Sequence, residues 1–350
     1  MPTTSGRYTF QVIEVEVIIR EAFERIGILG EFVEAQKLLA ARNSINFLLL
    51  EWMNKSVNLW TLQSTYLALT PNKGQYTLTD VVSDIIQLNL RTSTRQLDGT
   101  ATASNGGIAL NAFDGDPQTV CDAGNNGNIS YDYGAGVTQQ INFIGVQSSV
   151  TRDYTLLLEI SVDNLNWNVL HIIPAQTFTD GVTVWIDVPT PVNARAYRIR
   201  ETGGAQLSLR ELYFNNNVLD MPISNVSRYE YYTYPNKNLQ GRPSVFYFDR
   251  QITPVLNIWP VPTNQYNCMQ YTFTKMMQDV GAFTNSLQIP SLFYPAMVWG
   301  VAYYMALKYA PQTASIMQSE YEKAFNLAAA EDAETTPLRI SPDYSKGYYS

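Results

Sequence analysis

A single histidine, His171, and two cysteines, Cys121 and Cys268, are all the imidazole and thiol in a chain of 350 residues. No His/Cys cluster can be assembled for zinc, and no paired histidines for a metalloprotease. A Ser-His-Asp triad would have to use His171, which lies in the apolar run Val169 to Ile173 and reads as a satisfied, half-buried histidine. The two cysteines stand 147 positions apart and make no disulfide framework, which points to a reducing compartment during folding. Charge is scarce as well: charged residues are 15% of the chain, against roughly 25% in average soluble proteins. Lys plus Arg is 23 and Asp plus Glu is 31, a net charge of −8. Nothing there supplies the counterion release that a basic nucleic-acid binder needs. Long apolar runs are missing too. The most apolar window, Leu292 to Leu307, is 16 residues long and contains Pro295 and Gly300. A spanning helix needs about 20, so a buried helix is expected and no membrane. No secretory leader is expected either, because Arg7 is followed by mixed polar and apolar residues.

What is present suffices for a large core: 45% of residues are apolar and 23 are Tyr. Few charges with many tyrosines suit a chain that hides polar-aromatic surface against partners. The length favours more than one domain. Val15, Ile18, Ile19, Ala22, Phe23 and Ile26 form a helical stripe. A second helix is expected from about Glu31 to Lys55, with Ala35, Leu38, Leu39, Ile45, Leu49, Trp52 and Met53 on one side. Arg42 and Asn46 interrupt that side, and each needs a polar partner if buried. Near the other end, Ile289 to Tyr309 reads as a helix with Ala296, Gly300, Ala302 and Ala306 permitting close approach; Pro311 stops it. Met317, Tyr321, Ala324, Phe325 and Ala328 mark a last helix.

Residues 96–216 have a different texture. Leu156, Leu158, Ile160 and Val162 alternate with other residues, as do Val182, Val184, Ile186 and Val188, and Tyr197 and Ile199. Gly, Asn and Asp turns separate these runs, the pattern of an antiparallel sandwich. This stretch carries 12 acidic residues against 5 Arg and no Lys, or −7, while the remaining 229 residues hold 19 acidic and 18 basic, or −1. Two such different balances indicate two folding units, one inserted into the other. The expected fold class is therefore α+β multidomain. A helical bundle from the N- and C-terminal segments carries a small β-rich part (1–95 and 217–335), with an inserted antiparallel jelly roll at 96–216. The stretch 336–350 is expected to be an extended tail docking on a partner.

The strings ALNAFDGDPQT (109–119), NISYDYGAG (128–136), LEISVDNLNW (158–167), YRIR (197–200) and LSLREL (207–212) follow the order seen in discoidin-like domains, also called galactose-binding-like or coagulation-factor type C domains. The resemblance implies an eight-stranded jelly roll. It also implies a structural calcium held by Asp114, Asp116, Thr119 and Glu211, with backbone carbonyls near Asn111. The residues agree, since a hard cation wants several oxygens on a turn that Gly115 permits. An Asx turn without metal is the alternative. Cys121 departs from the aromatic that often follows the loop. Relatives bind sugars or lipid headgroups through loops, so glycans are possible partners. Trp167 is read as core against a sugar platform. Arg198 and Arg200 share a strand face that either contacts a ligand or is merely solvated.

The rest of the chain is similar to a second family. SINFLLLEWMNKSVNLWTL (44–62), LALTPNKGQYTL (67–78), YYTYPNKNLQGRPSVFYFDRQITPVLNIWPVP (231–262), IPSLFYPAMVWGVAYYMALKYAP (289–311) and YEKAFNLAAAEDAETTPLRISP (321–342) resemble the head-to-tail adaptor (connector) proteins of tailed, particularly short-tailed, bacteriophages. That resemblance implies a virion protein at the head–tail junction, synthesised in the host cytoplasm. It forms a homo-oligomeric ring of 12 copies beneath the portal protein, extends the DNA channel without reading sequence, and receives tail and nozzle proteins. Tyr344, Tyr348 and Tyr349 become candidate anchors in the tail. Arg242 becomes a candidate intersubunit or loop-ordering salt bridge, since GRP (241–243) lacks the GK[ST] of a nucleotide-binding loop. Trp259 is expected to end an edge strand at the junction with the bundle. The alternative is a carbohydrate-binding module oligomerised by the helices. A glycosidase would need a carboxylate pair at a defined separation, which no spacing nominates, so no catalytic residues are assigned.

Overall fold

The computed structural model describes residues 13–28, 34–55, 59–79 and 81–332, so Tyr344, Tyr348 and Tyr349 of the expected docking tail lie outside the described residues. Two compact units divide the chain: Met1–Leu62 with Lys275–Ser350, and Gln63–Thr274.

In the first unit, α1 (Val15–Arg25) and α2 (Ala35–Asn54) pack with two helices from the far end of the chain. A short α3 (Arg228–Thr233) belongs to the second unit, and α4 (Tyr294–Tyr309) and α5 (Ala314–Glu331) complete the first. The α1 stripe is buried from Val15 to Phe23 as its spacing requires. On α2 the buried face is Ala41, Ser44, Ile45, Leu48, Leu49 and Trp52, rotated from the expected one, and Leu39 is exposed. The two polar interruptions are both answered. Arg42 donates to the Gly281 carbonyl at 2.9 Å, and Asn46 Oδ1 accepts the Val280 N–H at 2.8 Å. Trp52 stands at the centre, against Phe293 and Phe325, with its indole N–H donated to Tyr321 at 2.9 Å. The small residues of α4 act as expected: a Cβ at Gly300 would lie 2.5 Å from Leu48 of α2.

The second unit holds a mixed sheet and a sandwich. The chain builds β1 (Leu62–Ala68), β2 (Gln75–Thr77) and β3 (Val82–Arg91), then leaves for the sandwich. The sandwich contains β4 (Thr100–Ala103), β5 (Cys121–Asn125), β6 (Asn128–Asp132), β7 (Gln139–Gln140), β8 (Phe143–Ser148) and β9 (Arg152–Ser161). It continues with β10 (Asn168–Phe178), β11 (Thr183–Asp187), β12 (Asn193–Ala194), β13 (Ala196–Glu201) and β14 (Gln206–Asn215). The chain then returns as β15 (Asp220–Asn225), β16 (Val245–Asp249), β17 (Val255–Trp259) and β18 (Cys268–Lys275).

The host sheet is seven-stranded, in the order β1-β18-β3-β15-β16-β17-β2. The sandwich stacks β10-β9-β13-β6-β4 on β11-β8-β14-β5. Alternation places Leu156, Leu158, Tyr197 and Ile199 from one sheet against Ile144, Val146, Leu212 and Phe214 from the other. Departure and return are adjacent: Arg91 and Asp220 are register partners, and the Thr92 N–H donates to the Leu219 carbonyl at 3.0 Å. Side-by-side ends are what insertion requires. Gln96 then bonds both the N–H and the carbonyl of Phe214.

The expected grouping placed the host sheet with the helices, whereas compactness places it with the sandwich. The outer face of the four-stranded layer explains this. Phe143, Trp185 and Tyr213 stack in series there, at 5.1 and 5.5 Å, and Tyr66 of β1 meets Phe143 edge-on. Cys268 of β18 is buried in the same cluster. Gly145 is needed beneath it, because a Cβ would fall 2.4 Å from the Trp185 ring. Arg91 joins the two parts. It bonds Asp220 through both oxygens at 2.7 Å, Tyr66 at 2.7 Å and Asp187 of β11 at 3.2 Å. Tyr66 in turn donates to Asp187 at 2.6 Å.

Trp259 differs from expectation. β17 lies between β16 and β2 rather than at an edge. The ring stacks on Tyr234 at 4.4 Å, with its N–H donated to Asn236 at 2.8 Å.

Candidate functional site

The loop between Asn111 and Thr119 follows a 3-10 turn, Ala109–Ala112. Asp114 Oδ1 accepts the Asp116 N–H at 2.8 Å, and Asp116 Oδ1 accepts the Gln118 N–H at 2.9 Å. These bonds close two Asx turns around Gly115, whose φ of 77° a side chain would resist. The Thr119 hydroxyl lies 2.9 Å from Asp114 Oδ2, 3.0 Å from the Asp116 carbonyl and 3.2 Å from the Asn111 carbonyl. A hydroxyl has one proton. It answers one of these oxygens and leaves the others crowded, an arrangement that a hard cation relieves.

Glu211, on β14, sits beside this loop. It is fully buried, and neither carboxylate oxygen has a hydrogen-bond partner among the described residues. Burial above all, then the negative charge of Asp114, pushes its pKa up to about 8. The Arg95 cation and the Gly115 N–H, close by but outside hydrogen-bond geometry, offset this in part. The guanidinium of Arg95 packs on the loop, since a Cβ on Gly115 would come within 2.3 Å of it. Thus Asp114, Thr119 and Glu211 converge, while the Asp116 side chain is spent on its own turn. Among the described residues no three His, Cys, Asp or Glu side chains are placed to hold a metal, so a cation here would lean on hydroxyl and backbone oxygens. The residues present fit an oxygen-loving divalent ion, and the orphaned Glu211 carboxylate is the observation that says so.

Arg198 and Arg200 are committed elsewhere. Both bond Glu159, which faces Arg198 across the β9–β13 ladder and is 2% exposed. Burial tends to raise the Glu159 pKa, but hydrogen bonds from Arg200 and Arg198 outweigh it and hold it below the ordinary range. Trp167 is half-exposed and carries the Arg198 guanidinium 4.3 Å above its ring, so it does not belong to the sandwich core. Arg242 is exposed at the rim of a cavity of about 140 Å³ lined also by Leu69, Leu90 and Asn267, and makes no hydrogen bond or ion pair among the described residues. His171 is half-buried on β10 opposite Leu158. Both cysteines are buried and free. No helix among the described residues is long and apolar enough to cross a membrane.

Sequence reasoning passed over Arg91, Arg95 and Glu159. Only Glu159 had a signal, the alternation that aligns it with two arginines once strand register is known.

Residues 186–341 match the family model described as SU10 adaptor protein. The match opens inside β11 and runs through β12 to β18, α4 and α5. No curated protein matches the chain. Solved structures similar to it include chitosan-binding module 1 from a chitosanase/glucanase of Paenibacillus sp. IK-5, at 23% identity over 34% of this chain and 96% of that one, with a TM-score of 0.29. Another is the family 32 carbohydrate-binding module of NanJ from C. perfringens, solved with galactose, at 16% identity over 35% and 98%, with a TM-score of 0.28.

Proposed function

With residues 186–341 an SU10 adaptor domain, we propose that the chain is a structural head-to-tail adaptor of a tailed phage. It assembles with copies of itself into a ring, sits against a portal protein on one side and receives tail proteins on the other. DNA passes through without sequence readout, and the chain is a virion component rather than an enzyme. The family match is the observation that carries this reading. The exposed apolar residues Leu39, Phe47 and Leu50 of α2 support self-association, because an apolar helix face left to water is stabilised by covering it with a neighbour. Electron microscopy of the purified chain mixed with the portal protein from the same phage tests the proposal. Closed rings stacked on the portal, twelve-fold if the copy number follows the family, are expected. A chain that stays monomeric and leaves the portal bare refutes it.

Within the sandwich, the reading extends to a structural calcium ion. Asp114, Thr119, Glu211 and the carbonyls of Asn111 and Asp116 would hold it, and the ion would supply the positive charge that Glu211 lacks. The support is the partnerless Glu211 carboxylate beside an oxygen-crowded loop. Melting in calcium chloride against a chelator checks it: a rise of several degrees in wild type is expected, and no rise in Asp114→Asn. Equal melting with and without chelator removes the ion.

A further inference from the structure

Five buried side chains of the sandwich and the host loop after β17 have polar atoms with no partner among the described residues: both oxygens of Glu211, the Gln147 Oε1, the Tyr213 hydroxyl, the Trp185 N–H and the Gln265 Nε2. Native proteins keep few such atoms, and a group of them calls for water or an ion. They are also neighbours. Gln147 and Glu211 are register partners on β8 and β14. The Gln147 Nε2 donates to the Gly181 carbonyl at 2.7 Å, which fixes the amide and leaves its oxygen inside. Tyr213 follows Glu211 by two residues and shares its face of the strand. Trp185 lies across Gly145 and stacks on Tyr213 at 5.5 Å. Gln265 comes from the host, and its amide lies beside the Tyr213 hydroxyl without forming a hydrogen bond.

We propose that this buried polar chain, Glu211–Tyr213–Gln265, couples a divalent cation at Glu211 to the seat of the sandwich on the host sheet. The inference rests on the calcium reading above and adds what that ion does. A carboxylate held by a cation has one orientation, and groups around metal ligands are oriented in turn. The Tyr213 hydroxyl then has a fixed neighbour on the sandwich side and can bond Gln265, directly or through one water. Tyr213 also ends the Phe143–Trp185–Tyr213 stack that buries Cys268, so ordering its hydroxyl tightens the apolar seat with it. The two states are a seat firmly closed with the ion bound and one that opens more often without it. Linkage makes the effect reciprocal: whatever calcium adds to the seat, the seat adds to calcium affinity.

Hydrogen–deuterium exchange on the full chain, with calcium chloride or with chelator, reads the seat through Cys268–Lys275, and titration calorimetry reads binding. In wild type, calcium should slow exchange across Cys268–Lys275 by about 5-fold or more. Tyr213→Phe keeps the ring and removes only the hydroxyl; it should still bind calcium, about 5-fold more weakly, and lose the slowing. Gln265→Leu, which lies outside the sandwich, should do the same and serves if Tyr213→Phe folds poorly. The coupling is refuted if wild type binds calcium with no change at Cys268–Lys275, or if both variants keep the full slowing. No binding by wild type removes the calcium reading itself, and the coupling with it.

Discussion

Arg91 is the last residue of β3, and replacing it by Met tests whether one side chain holds the sandwich to the host sheet. Its side chain is 11% exposed, while its carboxylate partners Asp220 and Asp187 are 36% and 58% exposed. Breaking a fully buried ion pair costs about 3–5 kcal/mol, but carboxylates this wet recover much of their solvation when the arginine leaves. About 2 kcal/mol is the appropriate share for the charge pairs. The guanidinium also lies 5.2 Å from the Tyr66 ring and 5.0 Å from Phe143, which adds up to about 1 kcal/mol, partly kept by the Met thioether. A loss of about 2–3 kcal/mol is therefore expected. Urea unfolding followed by tryptophan emission reports it directly, because Trp185 lies in the seat. Limited proteolysis should begin to cut near residues 92–98 and 216–219. Arg91→Lys should lose about half as much, since an ammonium cannot span Asp220, Tyr66 and Asp187 together. A loss below about 0.5 kcal/mol with unchanged proteolysis would show that the aromatic stack holds the seat by itself.

Gly145→Ala pushes a methyl into the Trp185 ring and should destabilise by about 1–3 kcal/mol, measured by urea unfolding. Gly300→Ala drives a methyl into Leu48; overpacking of about 1–3 kcal/mol, less about 1 gained in helix propensity, leaves a modest net loss visible in melting. Acid should weaken the sandwich through Asp132 and Glu159. Arg195 holds Asp132 low, and Arg200 with Arg198 hold Glu159 low against its burial. Depressed carboxyls stabilise the fold above their unfolded pKa, and that share is lost as pH falls through the folded value. Chelator-treated protein should thus lose stability from about pH 4 downward, and Asp132→Asn should flatten the slope.

Much of the architecture was legible because burial leaves a period. The α1 stripe and the alternation over Leu156–Leu158 and Tyr197–Ile199 each identify one covered face. Arg42 and Asn46 were legible as needs, though not as contacts, since the carbonyl of Gly281 and the N–H of Val280 lie in a segment without pattern. On α2 the choice between Leu39 and Leu48 was out of reach, because both positions are apolar and only the partner helix decides which is covered. Arg91 was illegible for a different reason. A lone arginine ahead of Thr92–Ser93–Thr94 has no periodicity, and its partners Tyr66, Asp187, Asp220 and Gln270 come from four strands far apart in the chain. The candidate cation loop could be placed through its resemblance to discoidin-like domains, with which its oxygens and its glycine agree. The state of Glu211 could not, since its burial comes from the loop at Asp114–Asp116 and from Arg95, which strand periodicity does not place.

The rung between Thr92 and Leu219 makes excision of the intervening stretch look simple, for a tight turn there would close β3 onto β15 as an ordinary hairpin. Such a shortened chain would nonetheless lay bare Tyr66, Tyr266 and Cys268 together, a sticky apolar patch on a surface poor in charge. Aggregation would be the first consequence of trimming. The guest has become part of its host's waterproofing, and losing it would require rewriting those three positions at the same time.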